Sequence, residues 1–210
     1  MRAVIWDYDG TLMDTYPMMT LCLRDALAAR GFQADEKWLL DEMKDTLGKA
    51  VEDCAQRFGT DAETLLRDFR AFERLRFAQV QPLSGIPEAM KTLHGMGIAQ
   101  MLCTHRDESA ILGLRAHHLD AFLTDAVTHE LHFPRKPDPT GIRYLLSRAG
   151  IEPSDAVMVG DRPLDIQAGQ AAGTHTCLLD PENRFLTVPC DVHLTQAADL
   201  PGWIAGLKTN

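Results

Sequence analysis

The sequence has fewer basic than acidic residues and no long hydrophobic run. Its 21 lysines and arginines stand against 30 aspartates and glutamates, which gives a formal net charge of −9 at pH 7. Nucleic acids and anionic membranes attract proteins of the opposite charge, so the composition argues against both kinds of partner. No apolar run approaches the roughly 20 residues that a membrane-spanning helix needs. Asp7 and Asp9 interrupt the first apolar run, so we expect no signal peptide.

Cysteine motifs are also missing. The five cysteines are odd in number and scattered, without the CxxC spacing typical of a zinc site and without a disulfide framework. Four of them lie in apolar segments, which is typical of reduced thiols in the core of a cytoplasmic protein. With 45% hydrophobic and 24% charged residues, the chain has the composition of a globular protein rather than a disordered one. We expect a monomer or a small homo-oligomer.

Short continuous apolar runs recur along the chain and alternate with helical patterns. The runs are too short for long helices, and several lack polar alternation, as expected for strands buried on both faces of a parallel sheet. Helical segments that end at a glycine separate most of them. This order predicts an α/β fold with a doubly wound parallel sheet. The predicted strands are residues 3–6, 98–103, 121–127, 156–159 and 176–179.

One stretch, residues 15–81, carries helix signals and no convincing strand. Its apolar spacing predicts four amphipathic helices, one of them over 36–47 and the last one after the capping-box sequence TDAE that begins at Thr60. A helical piece of this size can form a small bundle. We therefore predict two domains, an α/β core of residues 1–14 and 82–210 and an inserted α-helical domain of residues 15–81.

The strongest chemical signal is the sequence DYDGT, which directly follows the first strand. Strand alternation places Asp7 and Asp9 on the same side, at the carboxyl end of the strand, where open α/β sheets bind ligands. Two carboxylates this close repel each other unless a cation lies between them, and oxygen ligands favour a hard ion such as Mg²⁺. Gly10 allows a sharp turn. The alternative interpretation is an ordinary polar turn after a strand.

Three further segments place polar residues after predicted strands. In the sequence GDRPLD, a four-residue spacing puts Asp161 and Asp165 on one face of a helix, although Asp161 could instead cap that helix. The Thr104 hydroxyl could bind a phosphate at a helix N-terminus or serve only as a cap. Lys136 lies in a loop before a helix, where a lysine is usually solvated. Together these residues share one edge of the predicted sheet with the paired aspartates, which favours a common site.

In their order along the chain, these motifs resemble those of the haloacid dehalogenase superfamily of phosphohydrolases. The order is DxDGT, a threonine after a strand, Lys-Pro and then GDxxxD. The position of the helical insertion resembles the subgroup with an α-helical cap, which includes phosphoglycolate phosphatases and β-phosphoglucomutases. The resemblance covers essentially the whole chain. It implies a Mg²⁺-dependent phosphatase that hydrolyses a small phosphorylated metabolite through an aspartyl phosphate.

The resemblance also implies a role for each matching residue. Asp7 would be the nucleophile, and Asp9 would act first as the general acid and then as the general base. Asp9 separates two branches of the family, because true dehalogenases differ at that position and need no metal. Mg²⁺ would bind Asp7, the Asp9 backbone carbonyl and Asp161, with Asp165 acting from outside or through water. The candidates for binding the phosphate and substrate are Gly10, Thr104, His105 and Lys136.

Several positions depart from the family pattern. His105 follows the threonine at the position where relatives commonly have Asn, and Arg106 comes next. Either residue could add a donor to the phosphate or substrate, or could face solvent. Arg162 stands where Ser or Thr is common, and it could pair with a neighbouring aspartate. In the helical insertion, Lys49 is a weaker candidate for substrate selection, since an exposed lysine at a helix end is the simpler interpretation.

Two other functions are compatible with the same motifs. A phosphomutase would return the phosphoryl group to a sugar, but the insertion shows no clear clamp for a second phosphate, which favours hydrolysis. A phospho-accepting receiver module also combines paired acids, a threonine and a lysine on a doubly wound sheet. Such modules are shorter and lack both the helical insertion and the GDxxxD sequence.

Overall fold

The computed structural model describes residues 1–207 and divides into two compact units. One unit contains residues 1–13 and the chain from Pro82 onward, and the other contains Asp14–Gln81. The last residues of the predicted core domain, 208–210, lie outside the described chain. Within that chain, every helix is too short or too polar to span a lipid bilayer.

Six parallel strands form one sheet in the first unit. They are β1 (Ala3–Trp6), β2 (Ala99–Cys103), β3 (Asp125–Val127), β4 (Ala156–Gly160), β5 (His175–Leu179) and β6 (Val192–Leu194). Their spatial order is β3-β2-β1-β4-β5-β6, which confirms the predicted doubly wound α/β fold. The chain completes one half of the sheet before it crosses to β4. β1 and β4 therefore flank the point of reversal, where open α/β sheets bind ligands at the carboxyl ends of the strands.

Burial explains which strands the sequence predicts. β1 and β4 are buried at every position, and their sequences AVIW and AVMVG are continuous apolar runs. The predicted strand over 121–127 is wrong at its start, because Asp120–Phe122 forms a 3₁₀ turn. No sequence signal predicts β6, since its three residues are only half-buried and include a histidine.

The second unit contains four α-helices, as its apolar spacing predicts. They are α1 (Tyr16–Ala28), α2 (Glu36–Met43), α3 (Leu47–Phe58) and α4 (Ala62–Arg76). α1 packs against both α2 and α4. Leu65 and Phe69 of α4 are fully buried, whereas Leu75 near its end is 78% exposed, so the apolar stripe covers only part of that helix.

Two helix boundaries in this unit differ from the prediction. The helix predicted over 36–47 ends at Met43, because Thr46 begins the next helix by accepting the backbone N–H of Lys49 at 3.1 Å. The last helix is capped by Asp61 rather than by Thr60, since the Asp61 carboxylate accepts the Thr64 N–H at 2.8 Å.

The remaining α-helices belong to the first unit. They are α5 (Ile86–Gly95), α6 (Ser109–Ala116), α7 (Thr140–Ala149), α8 (Pro163–Ala172) and α9 (Leu200–Leu207). One hydrophobic cluster joins the sheet to α7: Ile5 and Met158 of the central strands pack with Ile142 and Leu145 of the helix. This packing fixes the sheet edge from which the polar residues described below project.

Candidate active site

The chain turns sharply directly after β1. Gly10 has a φ of 73°, in the left-handed region that glycine adopts without strain. Thr11 donates its backbone N–H to the Tyr8 carbonyl at 3.3 Å, which tightens the turn. The Asp7 N–H donates to the Val159 carbonyl at 2.9 Å and so continues the pairing of β1 with β4. Asp7 is therefore held at the carboxyl edge of the sheet by its own backbone bond and by the turn that follows it.

A buried lysine joins two aspartates at this edge. Lys136 Nζ lies 2.6 Å from Asp7 Oδ1 and 2.6 Å from Asp165 Oδ1. It also donates to the Cys103 carbonyl at 3.0 Å. None of the three charged side chains is more than 2% exposed. Because they come from the turn after β1, the loop after β3 and the first turn of α8, this ion cluster ties three separate segments together.

The charges of this cluster depend on one another. Burial lowers the pKa of Lys136, but Asp165 and Asp7 more than offset this and raise it above its ordinary value, so the lysine keeps its charge. Burial and the negative Asp165 raise the pKa of Asp7, and the opposing effects of Lys136 and Arg162 do not fully offset them. A further cation beside Asp7 would favour its ionised form.

The GDRPLD segment supplies two more aspartates at the start of α8. The helix begins at Pro163 with Arg162 at the N-cap position, so the alternative in which Asp161 caps the helix is wrong. Asp165 reaches back and accepts the Arg162 N–H at 3.2 Å. Asp161 instead accepts the Thr11 hydroxyl at 3.4 Å and lies 3.6 Å from Arg162 Nε.

Three carboxylates converge closely enough to bind one metal ion. Asp7, Asp161 and Asp165 each offer an oxygen within 4.8 Å of the other two. Asp7 Oδ2 is buried and accepts no hydrogen bond from any residue in the described chain, and its neighbouring cation, Arg162 Nη2, is 3.6 Å away. An oxygen-only donor set with a buried, unsatisfied carboxylate oxygen fits a hard divalent cation such as Mg²⁺.

Asp9, the second acid of the first motif, lies outside this carboxylate group. Its Oδ1 is 2.7 Å from Arg106 Nη2, so its side chain is turned toward the arginine. With 21% of its side chain exposed, Asp9 is also more open than Asp7, at 2%. The Asp9 carboxylate is therefore separate from the three carboxylates that converge.

The turn after β2 holds the next two predicted residues. Thr104 is buried, and its hydroxyl oxygen accepts the Arg106 N–H at 3.1 Å. His105 Nε2 accepts the Lys136 backbone N–H at 2.7 Å, so the ring supports the lysine loop instead of facing solvent. Burial, assisted by the Lys136 charge, lowers the pKa of His105 to about 3, and the imidazole is neutral at pH 7.

Three contacts at the site come from residues to which the sequence assigns no definite role. Arg106 pairs with Asp9, Arg162 lies beside two aspartates, and Thr11 donates to Asp161. Thr11 and Arg162 both lie within the motifs that follow β1 and β4. The position of these motifs at the strand ends therefore indicates that the two residues belong to the site. No local signal predicts the pairing of Arg106 with an aspartate 97 positions earlier.

Lys49, the candidate in the helical insertion, is held within its own unit. Its ammonium is 3.0 Å from Asp53, 3.3 Å from Asp45 and 3.4 Å from Glu42, and its side chain is 52% exposed. Hydrogen bonds to Asp53 and Asp45 raise its pKa. These contacts explain the position of the side chain without a substrate.

Comparison with known proteins identifies the family to which the chain is similar. The family model described as haloacid dehalogenase-like hydrolase matches residues 4–179. A phosphoglycolate phosphatase of Rhodospirillum rubrum is 31% identical over 184 residues, which cover 82% of this chain and 76% of the relative. A phosphoglycolate phosphatase of Nitrosospira multiformis is 28% identical, with 83% and 81% covered. A pyrophosphatase of Bacillus velezensis is 27% identical, also with 83% and 81% covered.

Solved structures share the fold over most of the chain. A hydrolase from Streptococcus pneumoniae is 30% identical with a TM-score of 0.65, and the match covers 83% of this chain and 90% of the other. A HAD family hydrolase from Deinococcus radiodurans is 19% identical with a TM-score of 0.83 over 99% and 96% of the two chains, and it supports the fold alone. The chain belongs to the haloacid dehalogenase-like hydrolase family.

Proposed function

We propose that this protein is a Mg²⁺-dependent phosphatase that hydrolyses a small phosphorylated metabolite with Asp7 as the nucleophile. The observation that carries the proposal is the buried Asp7 carboxylate, which Lys136 holds on one side and which shares a metal-sized space with Asp161 and Asp165. Curated relatives named phosphoglycolate phosphatase and pyrophosphatase support a phosphate substrate. The family match over residues 4–179 favours a hydrolase over a receiver module.

The metal is assigned to the carboxylates that converge at the sheet edge. Asp7, Asp161 and the Asp9 backbone carbonyl would bind Mg²⁺, and Asp165 would support them from outside or through water. When bound, the ion would offset the negative charge of the phosphate and polarise the phosphoryl group. Arg162 adds positive charge beside Asp7 and Asp161, at 3.6 Å from each.

In the first step, Asp7 captures the phosphoryl group. One of its carboxylate oxygens bonds to phosphorus while the bond from phosphorus to the leaving oxygen breaks. Asp9 transfers a proton to that oxygen, and the alcohol departs. Lys136, already beside Asp7, and the Thr104 hydroxyl hold the phosphoryl oxygens, which stabilises charge and fixes the line of attack.

In the second step, water releases phosphate from Asp7. The ionised Asp9 accepts a proton from the water, whose oxygen bonds to phosphorus while the bond to Asp7 breaks. Inorganic phosphate leaves, and the Asp7 carboxylate is restored. The helical domain of residues 15–81 is assigned the role of a cap because it is inserted at the place where capped relatives carry theirs.

The proposal is tested by measuring the release of inorganic phosphate from a panel of substrates. The panel contains phosphoglycolate, other small phosphate monoesters and pyrophosphate. Asp7→Asn keeps the side-chain shape, and we expect it to lower turnover at least about a thousandfold. Asp199→Asn, which changes an exposed aspartate, is the matched control and keeps wild-type activity. We expect chelation with EDTA to abolish turnover and Mg²⁺ to restore it. Wild-type turnover by Asp7→Asn contradicts the proposal. Conversion of a sugar phosphate to its isomer without release of phosphate would show that the protein is a phosphomutase instead.

A further inference from the structure

Arg106 is a buried cation that no motif of the sequence assigns to the reaction. It lies two residues after Thr104 on the turn that follows β2, and its side chain is only 6% exposed. Lys136 and Arg162, the other cations of the site, contact Asp7, whereas Arg106 contacts Asp9. Burying an arginine is costly unless its charge is compensated, and the Asp9 carboxylate compensates it at 2.7 Å.

Two nitrogens of the Arg106 guanidinium group donate hydrogen bonds to the Asp9 carboxylate. Arg106 Nη2 donates to Asp9 Oδ1 at 2.7 Å, and Nε donates to Oδ1 at 3.2 Å and to Oδ2 at 3.4 Å. The planar fork of arginine restricts the rotation of a carboxylate in a way that a single lysine ammonium does not. The guanidinium carbon also lies 5.6 Å from the ring centre of the buried Tyr8.

The backbone of Arg106 is fixed as well. Its N–H donates to the Thr104 hydroxyl oxygen at 3.1 Å, and its carbonyl accepts the His129 N–H at 3.0 Å. One residue therefore connects the phosphate-binding threonine of the proposed mechanism to the side chain of the proposed acid and base. Movement of the turn would move both groups together.

The difference in exposure indicates how Arg106 acts. Asp9 is 21% exposed, whereas the arginine that holds it is 6% exposed. The carboxylate is therefore the more accessible member of the pair, and the arginine is the more buried one. This arrangement suits a residue that orients another group better than one that binds the substrate itself.

We propose that Arg106 is a positioning residue that fixes the orientation of the Asp9 carboxyl group, which gives a proton to the leaving oxygen in its protonated form and takes one from water in its ionised form. The inference rests on the proposed phosphatase function. It also explains how two aspartates separated by one residue take different roles: Asp7 is held by Lys136, and Asp9 is held by Arg106.

The test is a double-mutant cycle between Arg106→Ala and Asp9→Asn, measured as steady-state phosphatase kinetics on the best substrate of the panel. Misplacement of a reacting group by about 1 Å costs on the order of a hundredfold in rate. We expect Arg106→Ala to lower kcat at least about tenfold with KM within about twofold, and to cause no further loss in the Asp9→Asn background. Arg106→Lys keeps the charge without the fork and restores part of the rate.

Matched controls separate positioning from folding and from substrate binding. Arg115→Ala removes an exposed arginine that also pairs with an aspartate, Asp120 at 3.1 Å, and it leaves both kinetic constants unchanged. If thermal unfolding shows that Arg106→Ala does not fold, Arg106→Lys carries the same cycle. Losses that add in the double variant, or a raised KM with unchanged kcat, overturn the inference.

The inference and the proposed function fail in different ways. An active Asp7→Asn variant removes the aspartyl-phosphate mechanism and, with it, any role for Arg106 in it. An inactive Asp7→Asn variant together with additive losses at Arg106 and Asp9 leaves the phosphatase assignment intact and removes only the positioning role.

Discussion

Two lysines of this protein are surrounded by carboxylates, one in each compact unit. Lys136 in the α/β unit lies 2.6 Å from each of two aspartates and is 2% exposed. Lys49 in the helical unit lies 3.0 to 3.4 Å from Glu42, Asp45 and Asp53 and is 52% exposed. Both clusters place one lysine among acidic side chains within 3.4 Å, and they differ most in access to water.

That difference decides what each cluster can do. Water screens the charges around Lys49, so its ion pairs add little stability and permit the side chain to move. The charges around Lys136 have lost their hydration, and they remain stable only because each opposes another in a fixed geometry. A buried cluster of this kind lowers the free energy of unfolding, and it provides pre-organised charges that can stabilise charge developing in a reaction. Burial, rather than the number of charges, distinguishes the candidate active site.

Removing each lysine tests the comparison directly. Lys136→Met leaves the buried carboxylates of Asp7 and Asp165 without their cation, and we expect a loss of about 3–5 kcal/mol in the free energy of unfolding together with loss of phosphatase activity. Lys49→Met, the matched control, has a much smaller effect on both. Urea denaturation in EDTA and phosphate release measure the two quantities. Equal destabilisation by the two substitutions would show that burial does not separate the clusters.

Adding one methyl group at Gly160 tests how tightly the buried cluster is packed. A Cβ at this position would lie 2.2 Å from Asp165 Cβ, far closer than two carbon atoms can approach. Gly160→Ala must therefore displace Asp165, and we expect a loss of about 1–3 kcal/mol in the free energy of unfolding and a lower kcat. Gly202→Ala is the control, because a Cβ there would meet no described atom within 4 Å apart from those of its own stretch of helix. An active, stable Gly160→Ala variant would mean that the position of Asp165 is not critical.

The sequence predicts the central part of this fold because burial leaves a local signal. β1 is predicted with its observed bounds, since a strand buried on both faces must be apolar throughout. The same reasoning fails at the sheet edges, where β3 is shorter than predicted and the half-buried β6 has no continuous apolar run. Helix ends shift for a similar reason, because a cap such as Thr46 is recognised only from its hydrogen bond.

The candidate site is partly predictable for a topological reason. Parallel strands bring their carboxyl ends to one edge, so Asp7 and Asp161 are expected to be neighbours although they are far apart in sequence. What the rule does not give is the direction of each side chain. The turn of Asp9 toward Arg106 and the use of His105 as a support for Lys136 depend on loop conformations that no periodicity encodes.

His105 provides the smallest of the expected effects, a change in the pH dependence of stability. Its pKa is about 3 in the folded protein, because burial and the charge of Lys136 oppose protonation, against an ordinary value of 6.5. Between these values the unfolded chain binds a proton that the folded protein does not, so the stability that His105 contributes is retained above pH 6.5 and is lost as the pH falls toward 3.

His105→Asn should therefore lose less stability than wild type as the pH falls from about 7.5 to about 5, as urea denaturation at each pH would show. His132→Asn, in an exposed position, is the control for loss of an imidazole. If the free energies of unfolding of wild type and His105→Asn fall in parallel on acidification, the imidazole takes up its proton in the folded protein as well. A neutral His105 that accepts the Lys136 N–H would then not be required for folding.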